Sequence, residues 1–209
     1  MFAELTTYIR SIESENWTPA PERLQMLETL VRYIRDQRKA GKPVRMIYVC
    51  THNSRRSHFG QVWGQVAAQY YGLDRVATWS GGTEATAFNP NAIQALNRAG
   101  FRISKSEGPS PNNAMYSVSY DEHAPAVRCY SKVFDDPANP VADFAAIMTC
   151  TDAEKNCPVI PGAQLRVGLS YEDPRHFDQT PEQESAYDNC CRSVAREALW
   201  IFSQVANGN

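Results

Sequence analysis

Val44–Ser57, with the sequence VRMIYVCTHNSRRS, decides the fold. From Val44 to Val49 β-branched and aromatic residues dominate, and the run stops at Cys50, which predicts a buried strand. Polar residues fill Thr51 to Arg56. From Ser57 onward Phe59, Val62, Trp63 and Val66 recur at helical spacing, so a helix is expected to about Tyr71. A strand, a short loop and a helix N-terminus therefore meet, with one cysteine at the strand's end.

That arrangement carries chemistry. A short loop ahead of a helix can turn several backbone N–H groups inward, and such a nest binds a tetrahedral oxyanion. The helix dipole adds positive potential. The same field stabilises a thiolate, which makes Cys50 the candidate nucleophile. Arg56, six residues on, can hold two anion oxygens with its planar fork. Asn53 tolerates left-handed backbone and can brace the loop, and Ser57 can hydrogen-bond the sulfur. A bare C-x5-R recurs by chance as a buried cysteine beside a surface arginine. C-x-x-N-x-x-R-S between a strand and a helix is far more specific.

CTHNSRRS resembles the phosphate loop of the low-molecular-weight protein tyrosine phosphatases, a fold shared by thioredoxin-coupled arsenate reductases. The resemblance runs from about Met46 to Val205 with one insertion. It implies a three-layer α/β fold, a four-stranded parallel sheet with helices on both faces. It also implies an oxyanion-binding loop of Thr51, His52, Asn53, Ser54, Arg55, Arg56 and Ser57. Ser80, in Ser80-Gly81-Gly82, resembles the segment beside the family's loop and is expected to bond Asn53. The family usually has Gly where His52 stands and Cys where Arg55 stands; Arg55 is expected to add positive charge beside the anion.

At 209 residues and 43% hydrophobic the chain can bury one good core, so one domain over 1–209 is expected. A net charge of −2 without a basic run gives no footing for nucleic acid. The N-terminal MFAELTTYIRSIESENW is too charged for a signal peptide or membrane span. Six cysteines without a secretion signal fit reduced thiols in a cytoplasmic protein.

Residues 1–42 precede the first strand. Leu5, Tyr8, Ile9 and Ile12 form one apolar stripe and Leu24, Leu27, Leu30, Val31 and Ile34 another, with Gly41 as a stop. This predicts a helical hairpin packed on the 43–205 core; a homodimer surface is the other use open to it. Val76 to Ser80 is expected as a strand, and Asn89-Pro90 as the start of a helix whose core face is Ala92, Ile93, Leu96 and Ala99. Residues 106–140 are broken by prolines. Within this insertion Tyr116–Tyr120 and Val127–Phe134 alternate and are expected to pair as a hairpin.

Asp143 to Cys150 reads as a buried strand and Leu165 to Leu169 as the last one. Thr180, with Pro181 and Gln183 behind it, is expected to cap the final helix. Cys150 and Cys157 flank six polar residues. By themselves they are unrelated thiols or half of a zinc site, and a zinc site wants closer pairs and a second knuckle; no metal is expected. Cys129, Cys190 and Cys191 are expected to be structural. The C-x6-C after a strand resembles the arsenate-reductase branch, which implies redox roles for Cys150 and Cys157. Asp173-Pro174 is a common turn pair, yet it resembles the family's general acid. The phosphatases commonly place tyrosines after that pair; here Arg175, His176 and Phe177 follow.

The expected activity is arsenate reduction to arsenite by a Cys50–Cys150–Cys157 thiol/disulfide relay, assisted by Arg56 and Asp173. No cofactor is expected beyond an external thioredoxin-like reductant. The alternatives are hydrolysis of phosphate monoesters through a Cys50 phospho-enzyme, and a non-catalytic oxyanion or redox sensor.

Overall fold

The computed structural model describes residues 1–156 and 159–208. The chain runs α1 (Ala3–Glu13), α2 (Pro21–Lys39), β1 (Val44–Cys50), α3 (Arg56–Tyr70), β2 (Val76–Gly82) and α4 (Pro90–Arg98). It continues through β3 (Arg102–Ser110), β4 (Asn113–Ser119), β5 (Val127–Cys129), β6 (Phe144–Met148), α5 (Thr151–Asn156), β7 (Ala163–Gly168) and α6 (Gln183–Asn207). The predicted strand, loop and helix around Cys50 form with boundaries shifted by about a residue.

β1, β2, β6 and β7 make a four-stranded parallel sheet in the order β2-β1-β6-β7. The two central strands are buried on both faces, which is why they read as near-continuous apolar runs. Alternate residues serve opposite faces. Met46 and Tyr48 join the larger core with α1, α2, α3, α4 and α6, while Ile47 and Val49 join a smaller one with Phe144, Ala146, Met148 and Ala153 of α5. Trp63 on α3 is fully buried, stacked on Tyr8 of α1 at 5.7 Å and edge-on to Phe101 at 5.1 Å. The helical hairpin ahead of β1 thus shares the main core. Its stripe residues Leu5, Ile9, Ile12, Leu27, Leu30, Val31 and Ile34 are buried. No helix among the described residues is long and apolar enough to cross a membrane.

The insertion departs from expectation. β3 was not foreseen, because RISKSEGPS is polar and mostly exposed and carries no period-2 apolar face. It forms because β4 supplies the ladder, pairing Arg102–Ser106 with Ser119–Met115. The expected hairpin partner of β4 pairs only as far as Cys129. The chain then leaves to run beside β2, where Gly82 N–H donates to Lys132 O and Phe134 N–H to Gly82 O, both at 2.9 Å. Gly81 permits this approach, since a Cβ there would lie 2.4 Å from Phe134 Cα. The last helix also starts later than expected. Thr180 Oγ1 donates to Phe177 O and accepts from Glu182 N–H at 3.3 Å, as a cap does, but Gln183 Oε1 accepts from Gln179 N–H, and the turn so closed lies ahead of the first residue of α6.

Candidate active site

The loop from Cys50 to Arg56 lies at the carboxyl end of β1, where ligands of parallel sheets bind. Its carbonyls are tied outward. Cys50 O accepts from Thr83 N–H, Thr51 O from Glu84 N–H, and Ser54 O from Asn89 N–H. His52 O accepts from the hydroxyls of Ser131 at 2.9 Å and Thr86 at 3.2 Å. In a planar trans peptide the N–H points opposite to the preceding C=O. The amides of Thr51, His52, Asn53 and Arg55 are therefore turned to the inside of the loop. Among the described residues they donate to no protein acceptor. Inward amides at a helix N-terminus are an arrangement that can receive an anion.

Asn53 holds this shape. It is fully buried with φ +43, a left-handed conformation that asparagine tolerates. Its carbonyl oxygen accepts from Lys132 N–H at 2.9 Å, and its amide donates to Ser57 Oγ at 2.8 Å. An asparagine amide nitrogen can only donate. Ser57 Oγ therefore accepts there, and its proton is free for Cys50 Sγ, 3.0 Å away. Cys50 is 4% exposed. His52 fits where the family usually has Gly because its φ is not in the left-handed region, and its ring turns out toward Glu84.

Arg56 and Asp173 meet. Arg56 donates from Nη2 to Asp173 Oδ2 at 2.5 Å and from Nη1 to Tyr171 O at 3.0 Å. Two of five guanidinium N–H donors are used, leaving three for an anion. Asp173 Oδ1 accepts from Arg175 N–H, the start of a short 3-10 turn over Pro174–Phe177. The segment that carries Asp173 is braced from behind. Tyr171 OH donates to Glu197 Oε2, Glu197 pairs with Arg23 of α2, and Arg23 also reaches Ser170 O. Burial beside Glu197 pushes the Tyr171 phenol well above its ordinary range, so it stays a donor.

Two expectations need correction. Arg55 adds no unpaired charge beside Cys50. Its Nε donates to Tyr187 OH at 2.7 Å and its Nη2 pairs with Asp178, whose other oxygen accepts from Tyr187 OH. The side chain clamps the loop to α6, and Asp178 offsets its charge. Ser80 does not bond Asn53. Its hydroxyl donates to Gln61 Oε1 at 2.7 Å and meets His58 Nδ1 at 3.2 Å, because Asn53 is already committed to Ser57 and Lys132.

The cysteines divide. Cys150 follows β6 and is 1% exposed. Its sulfur lies 3.4 Å from Thr51 Oγ1 of the loop, and it shares the smaller core with Cys50. Cys157 lies outside the described residues. Burial pushes the Cys129 and Cys191 thiols up to about 12, and raises that of Cys190 as well. Cys191 Sγ accepts from Trp63 Nε1, so these three fit the structural role expected of them.

Ser131, Lys132, Thr86 and Arg23 support the site and were not foreseen. Ser131 and Lys132 fall in the proline-broken insertion, and nothing in their local sequence marks them.

No family model matches the chain. Among curated proteins, the arsenate reductase of Bacillus subtilis is 29% identical over 157 residues, which cover 75% of this chain and 93% of the relative. The arsenate reductase of Bacillus cereus is 28% identical over 158 residues, 76% of this chain and 92% of the relative. Among solved structures, the low-molecular-weight protein tyrosine phosphatase from T. tengcongensis superposes with a TM-score of 0.52 at 13% identity, covering 79% of this chain and 99% of that one. The chain is thus similar over three quarters of its length to arsenate reductases, and it shares the fold of a low-molecular-weight protein tyrosine phosphatase.

Proposed function

We propose that this protein reduces arsenate to arsenite through Cys50 and Cys150. The observation that carries the proposal is the seating of Cys150 Sγ against Thr51 of the anion loop, in the same small core as Cys50. A hydrolase needs no second thiol there.

In the proposed reaction the inward amides and the remaining Arg56 donors bind arsenate. Cys50 sulfur forms a bond to arsenic as one hydroxyl leaves, taking the Asp173 proton to depart as water. Cys150 sulfur then attacks Cys50 sulfur. The S–As bond breaks with its electron pair staying on arsenic, which leaves as arsenite, and the two sulfurs are oxidised to a disulfide. Cys157 would next attack Cys150 and carry the disulfide outward to a thioredoxin-like dithiol, which is oxidised as it resets the enzyme. Such a transfer is useful because a disulfide between two buried sulfurs is hard for a protein reductant to reach.

The phosphatase alternative draws on the Arg56–Asp173 pair, which would serve a phosphate ester equally well. Arsenite release and aryl-phosphate hydrolysis, measured for wild type, Cys50→Ser and Cys150→Ser, separate the alternatives. The proposal requires arsenite release to vanish in both variants. Undiminished arsenite release by Cys150→Ser would refute the relay. Ester hydrolysis lost only with Cys50→Ser, without arsenate turnover by wild type, would make the protein a phosphatase. Oxyanion binding with neither activity would make it a sensor.

A further inference from the structure

Outside the anion loop a cleft of about 580 Å³ opens between α3, β2 and the inserted segment. That is within the size range of small-ligand sites. Lys132 and Arg128 line it, and no Asp or Glu is among the described lining residues. Lys132 is only 4% exposed. Among the described residues its ammonium has no hydrogen bond and no carboxylate partner; it rests on the Tyr130 ring, 4.6 Å from the centroid. Asp136 is near enough to favour the charge, but its Oδ1 accepts from Tyr130 OH and Ala138 N–H instead. Arg128 is exposed, and among the described residues its guanidinium meets only the weak acceptor Met115 Sδ. Trp79 and Tyr130 give the cleft aromatic walls.

A charge carried by so buried a residue without an anion beside it is costly. We infer that this cleft is a second ligand site, for a small organic anion with a flat apolar body. Its acidic group pairs with Lys132 and Arg128, and its body lies against Tyr130 and Trp79. The site is separate from the anion loop, and the inference does not depend on the activity proposed above. Burial holds the Lys132 amine below its ordinary range, and an arriving anion reverses that by favouring the charged form.

The test is calorimetric titration of the full chain with 2-naphthoate, an aryl carboxylate. Inorganic phosphate is kept in excess so that the probe cannot enter the loop. One equivalent is expected to bind to wild type. Lys132→Met should weaken binding about tenfold or more, and Arg128→Gln several-fold. Lys42→Met, at an exposed position away from the cleft, should leave it unchanged. Neutral 2-naphthamide should bind wild type at least tenfold more weakly than the acid. No binding to wild type, equal binding of acid and amide, or unchanged affinity in Arg128→Gln overturns the inference. That last variant sits on the surface, so the test stands even if Lys132→Met folds poorly.

Discussion

Replacing Asn53 tests how the loop is held. In Asn53→Ala two contacts disappear together. The Lys132 amide is left buried without an acceptor, at about 1–3 kcal/mol, and Ser57 loses its donor, at about 1 kcal/mol. Alanine must also adopt φ +43, at about 1–2 kcal/mol. The expected loss is about 3–6 kcal/mol, read as a lower urea midpoint at constant slope. Asn53→Gly loses the same contacts without the alanine Cβ penalty, so it should be the more stable of the two by about 1 kcal/mol. Asn53→Asp separates stability from chemistry. Its carboxylate still accepts from the Lys132 amide, but it now also accepts from Ser57 Oγ, withdrawing that proton from Cys50 Sγ. Losing a hydrogen bond to a thiolate, about 1.5–3 kcal/mol, corresponds to roughly ten- to a hundredfold in turnover. Iodoacetamide should alkylate Cys50 more slowly in this variant than in wild type at neutral pH. An Asn53→Ala protein within about 0.5 kcal/mol of wild type, or an Asn53→Asp protein with wild-type turnover and alkylation, would refute the argument that Asn53 sets both loop shape and sulfur.

Gly81→Ala puts a Cβ 2.4 Å from Phe134 Cα, so the inserted segment must shift off the sheet edge; a loss of about 1–3 kcal/mol is expected by chemical denaturation, with weaker phosphate binding. Arg23→Gln leaves Glu197, 7% exposed, without its cation; about 2–3 kcal/mol should be lost, and turnover should fall with it as Tyr171 loosens. His58 is pushed down to about 3, chiefly by burial and next by the Lys132 charge, from an ordinary 6.5. It therefore stays neutral when folded, while the unfolded chain takes up a proton below about pH 6.5. Stability should be full above that pH and fall by roughly 1.4 kcal/mol per unit between 6.5 and about 3 on this account. Thermal melts of His58→Leu should show a shallower acid slope, and an identical slope would remove His58 as the cause.

Local rules made much of the molecule legible. β1 and α3 follow from apolar periodicity, Asn89 caps α4 through Asn91 and Ala92 N–H, and the stripes of the first two helices are buried apart from Tyr8 and Leu24, which are half-buried. The pairing of β3 was not legible, because an exposed polar edge strand has no apolar face to read. The partners of Arg55 are hidden for a related reason: sequence gives a charge but not its partner, and Asp178 and Tyr187 lie more than a hundred positions away.

By itself the sequence determined that a cysteine ends a buried strand and that a short polar loop and a helix N-terminus follow it. Hydrophobic spacing and turn chemistry act within a few residues, so they survive in one dimension. Tertiary structure alone decided that Lys132, 79 positions from Asn53, closes the loop from the side. It also decided that Arg23 braces the segment ahead of Asp173 and that Cys150 comes to rest on Thr51. These are contacts between distant surfaces, selected by which buried polar groups find partners when the whole core closes, and no local pattern records them.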